Sequence, residues 1–189
     1  MSVSIQKAAL RKHLLEKRDA TSAELRDISS GKIYENLKNL SAYNNSENIA
    51  CYFPIGSEID TRDIMLNILE RGKNLLLPKI VNGDIEFYVV PNLEKLEKGS
   101  FEIMEPKDSC KKAEKIDCVL IPTIAVSKLG VRLGYGKGYY DRFLSSTNAV
   151  KISLTYSKQI VKSIPSDSHD IKIDWIVTED ENMKISQVG

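Results

Sequence analysis

The chain has 189 residues, 42% of them hydrophobic and 28% charged, which is enough apolar material for one compact core and far below membrane levels. Its 27 basic and 26 acidic side chains nearly cancel, so no general attraction to nucleic acid or to a membrane surface is encoded, and any cationic site must be local. Three cysteines without a CxxC spacing, and only two histidines, exclude a disulfide framework and a zinc site. The first twenty residues carry charge throughout and lack the apolar core of a secretory signal, so the expectation is a cytoplasmic chain.

Helical and extended patterns alternate along the chain. Residues 4–19 and 22–40 read as helices, the second opening on Thr21 or Ser22 as cap and interrupted by Gly31. A first strand, Ile49–Phe53, ends at Pro54; Asp60 or Thr61 caps a helix running to about Arg71, and Gly72 stops it. The next strand, Asn74–Leu77, closes at Pro78, and the turn signal Asn82-Gly83 introduces an alternating strand over 84–90. Charge runs and Pro106 make 93–115 read as solvent-facing loops with brief ordered pieces.

The longest apolar stretch, Cys118–Val126, is far shorter than the roughly 20 residues a bilayer requires and reads as a buried strand, ordered over Asp117–Ile121 and broken by Pro122 and Thr123. A helix over Tyr139–Ser145, a strand over Val150–Thr155 and a last alternating strand, Ile171–Val177, complete the pattern. This is an α/β protein, expected as a single domain over 1–189: a three-layer sandwich with a mostly parallel, Rossmann-like open sheet and helices on both faces. In such sheets ligands bind beyond the carboxyl ends of the strands. The loops to inspect are therefore Phe53 to Glu58, the glycine-rich run after Ser127, and the polar segment before Asp170.

The run RLGYGKGYYDR, residues 132–142, places Gly134, Gly136 and Gly138 at alternate positions around Lys137. Glycines adopt positive φ and carry no Cβ, so successive backbone N–H groups can turn inward around an anion, to which Lys137 adds a point charge. Neither familiar glycine motif fits. A P-loop would need glycine at Val131 and a hydroxyl at Gly138, and the dinucleotide fingerprint would need glycine at Tyr139. Arg132 and Arg142 flanking the glycines favour a polyphosphate over a merely mechanical turn. Lys7, Arg11 and Arg18, spaced by four and seven residues, fall within about 40° on one face of the first helix. Spacing alone favours reading that stripe as an ordinary solvated face, since Lys and Arg are mostly exposed.

These residues carry a resemblance. KAALR followed by LLEKRDA, YFPIGSEIDTRDIM, RLGYGKGYYDRFL and IPSDSHDIKIDWIVTE, in that order and spanning nearly the whole chain, resemble the 5-formyltetrahydrofolate cyclo-ligase family, also called methenyltetrahydrofolate synthetases. The resemblance implies an enzyme that uses ATP as co-substrate and Mg2+ to convert 5-formyltetrahydrofolate into 5,10-methenyltetrahydrofolate, and it suggests a monomer with no nucleic-acid or membrane partner. It implies ATP contacts at Lys7, Arg11, Arg132, Leu133, Gly134, Tyr135, Gly136, Lys137, Gly138, Tyr139 and Tyr140. Lys137 and Arg132 would act on the transferring phosphoryl group.

Folate would meet Phe53, Glu58 and the loop from Tyr135 through Gly136, Lys137 and Gly138 to Tyr139. Asp141 and Asp170 match the family's metal positions; without the resemblance, Asp141 reads equally as a first-turn acid and Asp170 as a turn residue. His169 is read as structural. The chain departs from the family where Pro-Gly-x-Ala-Phe-Asp is usual: it has Pro122-Thr123-Ile124-Ala125-Val126-Ser127, which puts substrate preference or activity in question. Rival readings of the same framework are a phosphosugar isomerase or coenzyme A transferase relative and a non-catalytic binder of nucleotide or folate.

Overall fold

The computed structural model describes residues 2–99 and 102–186. Helix α1 (Val3–Asp19) opens on Ser2, whose side chain accepts from the Ile5 amide, and α2 (Ala23–Lys38) opens on Ser22, which accepts from Leu25. A short helix α3 (Ser41–Asn44) precedes β1 (Asn48–Ala50), shorter than the expected Ile49–Phe53 because the chain peels away after Cys51 donates to the Leu76 carbonyl. At the start of helix α4 (Arg62–Glu70) Asp60 Oδ1 accepts the Arg62 amide at 3.0 Å, while Thr61 donates its hydroxyl to the Tyr52 carbonyl at 2.6 Å, and Gly72 beyond the helix takes φ +70°.

Strand β2 (Asn74–Val81) does not close at Pro78 but runs on to Val81, antiparallel to β3 (Asp84–Val89). Leu75 accepts from Val90 on the β3 side while Leu76 accepts from Cys51 on the β1 side, so Pro78, in phase with Leu76, turns its missing donor to the side where β1 has already ended. A proline is tolerated at such an edge. Asn82 and Gly83 both take positive φ, +52° and +85°, as a tight hairpin turn requires.

Residues 93–115 are more ordered than expected. After a 3-10 turn they form an antiparallel ribbon of β4 (Leu96–Lys98) and β5 (Met104–Pro106), and β6 (Lys111–Lys112) pairs with β3. The apolar run from Cys118 is two strands rather than one. Strand β7 (Cys118–Pro122) lies at the centre of the large sheet, and β8 (Ala125–Ser127) pairs in a small sheet with β9 (Arg132–Leu133). Then come α5 (Tyr139–Ser145), β10 (Val150–Leu154), β11 (Ile160–Val161), β12 (Trp175–Val177) and β13 (Asn182–Lys184). Residues 171–174, expected as strand, are held instead by isolated bonds to outside backbone: Ile173 donates to Gly130, and Asp174 donates to Lys151 and accepts from Ile185.

The large sheet runs β13-β12-β10-β7-β1-β2-β3-β6, parallel from β12 to β2 and antiparallel at both margins, so it is a mixed sheet. Alternate residues of its central strands serve opposite faces. Ile49, Leu75, Leu77, Leu120 and Ile152 pack with Ile33 and Leu37 of α2 and with Ile64 and Ile68 of α4. Ala50, Leu76, Val119 and Ile121 pack with Phe143 and Leu144 of α5. Each fully buried Leu or Ile contributes about 1.5–3 kcal/mol. Helix α1 covers the small sheet β11-β8-β9, where Leu14 meets Ile124, Ala125 and Leu133. That placement leaves its basic stripe facing the carboxyl ends of the large sheet's parallel strands. No helix among the described residues is long and apolar enough to cross a membrane.

Candidate active site

A cleft of about 940 Å³ opens between α1, the segment after β1, the β2–β3 hairpin, the β4–β5 ribbon and the loop joining β9 to α5. Every residue that the sequence suggested for a ligand role lines it: Lys7, Arg11, Phe53, Glu58, the whole run from Arg132 to Asp141, and Asp170. The rest of the lining, including Tyr52, Pro78, Ile80, Ile85, Ile103 and Met104, was not anticipated. The hairpin residues were hidden by the expectation that Pro78 ends a strand, and Ile103 and Met104 lie in a segment read as solvent-facing.

In the glycine loop, Gly136 and Gly138 take φ +92° and +70°, whereas Gly134 does not take positive φ. Gly134 serves by close approach, since its carbonyl accepts Arg11 Nε at 2.7 Å. A Cβ on Gly136 would lie 3.0 Å from Arg11 Cζ, so Arg11 lies against two of the three glycines. The Arg142 guanidinium lies beside Gly138 and donates to Asp84 Oδ1, the Gly83 carbonyl and the Lys137 carbonyl, tying the loop to the β2–β3 turn. It anchors the loop and also lines the cleft. Lys137 is exposed at the loop's tip.

Arg132 is the buried cation of the site, its side chain 4% exposed, with Nη2 2.6 Å from Asp141 Oδ1 and the cation 5.9 Å from the Tyr140 ring. Burial lowers its pKa, and the adjacent Asp141 carboxylate opposes that shift, so it remains a guanidinium. Its Nε has no hydrogen-bond partner among the described residues. Asp141 Oδ1 also accepts the Ile171 amide at 3.2 Å, which draws the start of α5 to the residue after Asp170. Asp170 receives Lys7 Nζ at 2.7 and 2.6 Å and the Asp167 amide at 2.8 Å. Two carboxylates from distant parts of the chain thus share one end of the cleft with Lys7, Arg11 and Arg132. Among the described residues no cluster of three or more His, Cys, Asp or Glu could enclose a metal by itself. His169, expected as structural, is 92% exposed at the rim.

The other end is carboxylate and aromatic. Glu58 is buried, its Oε2 accepting the Ile55 amide at 2.9 Å. Burial raises its pKa, and the Ile55 amide, the Tyr135 hydroxyl and the Arg18 charge oppose the rise. Burial likewise pushes the Tyr52, Tyr135 and Tyr140 hydroxyls up, so all three stay neutral donors at physiological pH. Ser127, which replaces the family's usual acid, is buried in β8 away from the cleft, and Val126 belongs to the core under α5. Neither Val126 nor Ser127 lines the cleft.

The sequence model of the 5-formyltetrahydrofolate cyclo-ligase family matches residues 3–179. The chain is 33% identical to the 5-formyltetrahydrofolate cyclo-ligase of Mycoplasma genitalium over 181 residues, covering 92% of this chain and 98% of that one. The NMR structure of Aquifex aeolicus 5,10-methenyltetrahydrofolate synthetase matches with a TM-score of 0.87 at 36% identity, covering 97% of this chain and 94% of that one. A 5,10-methenyltetrahydrofolate synthetase from Mycoplasma pneumoniae matches with a TM-score of 0.74 at 29% identity, covering 92% and 98%. With a match that takes in the basic stripe, the Glu58 segment, the glycine loop and Asp170 together, the chain belongs to the 5-formyltetrahydrofolate cyclo-ligase family of enzymes.

Proposed function

We propose that this chain closes 5-formyltetrahydrofolate to 5,10-methenyltetrahydrofolate at the expense of ATP and with Mg2+, releasing ADP and phosphate. The observation that carries the reading is the single cleft in which a cation-rich, glycine-lined end adjoins a carboxylate-and-aromatic end. A phosphate chain suits the first and a pterin the second. The mixed sheet, with α2–α4 on one face and α5 on the other, is read as a three-layer, Rossmann-like arrangement that collects these loops at the strands' carboxyl ends.

An N-formyl amide is a poor electrophile. Transfer of the γ-phosphoryl group to the formyl oxygen breaks the bond to ADP and makes that oxygen part of a leaving group; N10 of the folate then attacks the formyl carbon, its proton is taken up by the departing phosphate, and the ring closes. The protein supplies position and charge, with no covalent nucleophile. Arg132, held rigid by Asp141, clamps phosphate oxygens. The loop amides and Lys137 stabilise charge on the group in transfer. Lys7 and Arg11 hold the rest of the phosphate chain. Glu58 accepts hydrogen bonds from the pterin's donor edge, and Phe53 with Tyr135 and Tyr139 covers its rings.

Asp141 and Asp170 suit Mg2+, because an ion that keeps several waters needs only one or two hard carboxylates beside the phosphate oxygens. When bound, the ion would neutralise charge on the phosphate chain. Mixing the protein with 5-formyltetrahydrofolate, ATP and Mg2+ should raise the near-ultraviolet absorption of the methenyl product. Folded protein that gives no such signal rules the reading out. Lys137→Ala should lower turnover by about a hundredfold or more; turnover near wild type would remove Lys137 from the chemistry.

A further inference from the structure

Arg18 closes the basic stripe of α1, yet it does not itself line the cleft. Its residue is 5% exposed, and its guanidinium spends two different nitrogens on two different loops. Nε donates to Ser57 Oγ at 2.8 Å, and Nη2 donates to the Tyr135 hydroxyl at 2.8 Å. Ser57 directly precedes Glu58 and donates its own hydroxyl to Asp19 at the end of α1. Tyr135 belongs to the glycine loop, its ring lies 5.9 Å from the Arg18 cation, and its hydroxyl hydrogen-bonds toward Glu58.

A buried arginine kept only for stability would be expected to end on a carboxylate that neutralises it. Arg18 instead ends on two neutral hydroxyls, each on a segment belonging to a different end of the cleft. Tyr135 is 41% exposed, and its hydroxyl is held by Arg18 and Glu58. If a nucleotide draws the glycine loop into one conformation, Tyr135 moves with it, and the Arg18 fork transmits that choice to the Ser57-Glu58 segment. The reverse holds for a ligand seated on Glu58.

We infer that Arg18 is a positioning residue that couples the two ends of the cleft through Tyr135 and Ser57, so that nucleotide and folate strengthen each other's binding. This rests on the assignment of ATP to the glycine loop and of folate to Glu58. Coupling between two ligands is reciprocal: the factor by which one tightens the other is the same in both directions.

The test is the Kd of 5-formyltetrahydrofolate by calorimetry, with and without saturating Mg2+ and a non-hydrolysable ATP analogue. Wild-type protein should bind folate about fivefold or more tightly when the analogue is present, and the analogue should gain by the same factor from folate. Tyr135→Phe and Arg18→Gln should bring that ratio close to one. Arg18→Lys keeps the charge but cannot reach both hydroxyls in the same fork, and it should not restore the ratio. A residue that merely supports the fold would weaken each Kd or lower Tm and leave the ratio as it was.

A wild-type ratio near one, or variants that keep the wild-type ratio, would overturn the inference. Should Arg18→Gln fail to fold, Ser57→Ala decides with Tyr135→Phe, since it removes the other arm of the Arg18 fork and leaves the Tyr135–Glu58 hydrogen bond in place. Turnover by the same wild-type preparation separates the two readings: absence of methenyl product defeats the proposed reaction, whereas product formation with an unchanged ratio in the variants defeats only the coupling.

Discussion

Lys7 and Asp170 stand 163 positions apart in the chain, and the Lys7 ammonium meets both oxygens of the Asp170 carboxylate, at 2.7 and 2.6 Å. Both side chains are largely sheltered from water, at 15% and 17% exposure, so the pair is screened less than an exposed one. In the proposed reaction each would exchange the other for part of the incoming nucleotide, Lys7 for a phosphate oxygen and Asp170 for the metal.

The two partners should therefore fail differently. Asp170→Asn should raise the half-saturating Mg2+ concentration about tenfold or more, the scale of one charge-assisted contact, with a smaller change in the KM for ATP. Lys7→Ala should raise the KM for ATP by a similar factor. Initial rates across a Mg2+ titration distinguish the two, and an unaltered Mg2+ requirement in Asp170→Asn would remove that residue from the metal site.

Gly136 and Gly31 make a contrast within one protein. Alanine at 136 must accept φ +92° and place its Cβ 3.0 Å from Arg11 Cζ, so Gly136→Ala should cost about 1–2 kcal/mol locally and raise the KM for ATP about fivefold or more. Gly31 lies exposed within α2, and an alanine methyl there would meet nothing within 4 Å, so Gly31→Ala should stabilise the fold by about 0.5–1 kcal/mol and leave the kinetics unchanged. Urea unfolding and steady-state rates on both variants check the pair.

Glu58 predicts a pH dependence with a definite sign. Burial raises its folded-state pKa, so the folded protein holds this proton more tightly than the unfolded chain does. Its contribution to stability is complete below the ordinary glutamate range, near pH 4, and is lost as pH rises through the folded value. Relative to Glu58→Gln, which cannot ionise, the wild-type protein should lose stability between about pH 4 and neutrality. Urea denaturation of both proteins along a pH series measures this, and a difference that grows in the opposite direction refutes it. The same variant should bind folate more weakly, because a carboxylate acceptor has been replaced.

Ser127 is 1% exposed, and its hydroxyl has no hydrogen-bond partner among the described residues. Removing a hydroxyl that makes no bond relieves a desolvation cost, so Ser127→Ala should leave Tm unchanged or raise it slightly and leave kcat and KM at wild-type values. A fall in activity by more than a few fold would show that β8 reaches the cleft chemistry after all.

Much of the fold was legible because local signals were unopposed. Ser22 capped its helix, Asn82-Gly83 turned its hairpin, and Tyr139–Ser145 formed the helix its pattern suggested. The failures share a cause. Pro78, the split of the 118–126 run into β7 and β8, and the loss of strand at 171–174 all depend on which backbone lies alongside, and a strand's partners are not written in its own residues. The ordering of 93–115 is of the same kind, since β5 and β6 exist only through pairing.

For the site, residue types and their order were sufficient to nominate a phosphate cradle and a basic stripe on one helical face, because glycine's freedom and the helical repeat are local properties; the magnesium reading of Asp141 and Asp170 came from the family resemblance. That Lys7 would rest on Asp170, that Arg132 would be buried against Asp141 while Arg142 bonded to the hairpin turn, and that Arg18 would span Ser57 and Tyr135 were settled only when α1 packed on the small sheet and the strands brought their carboxyl ends together. Contacts between residues far apart in the chain arise from packing of the whole core, and no short window of the sequence contains the atoms that decide them.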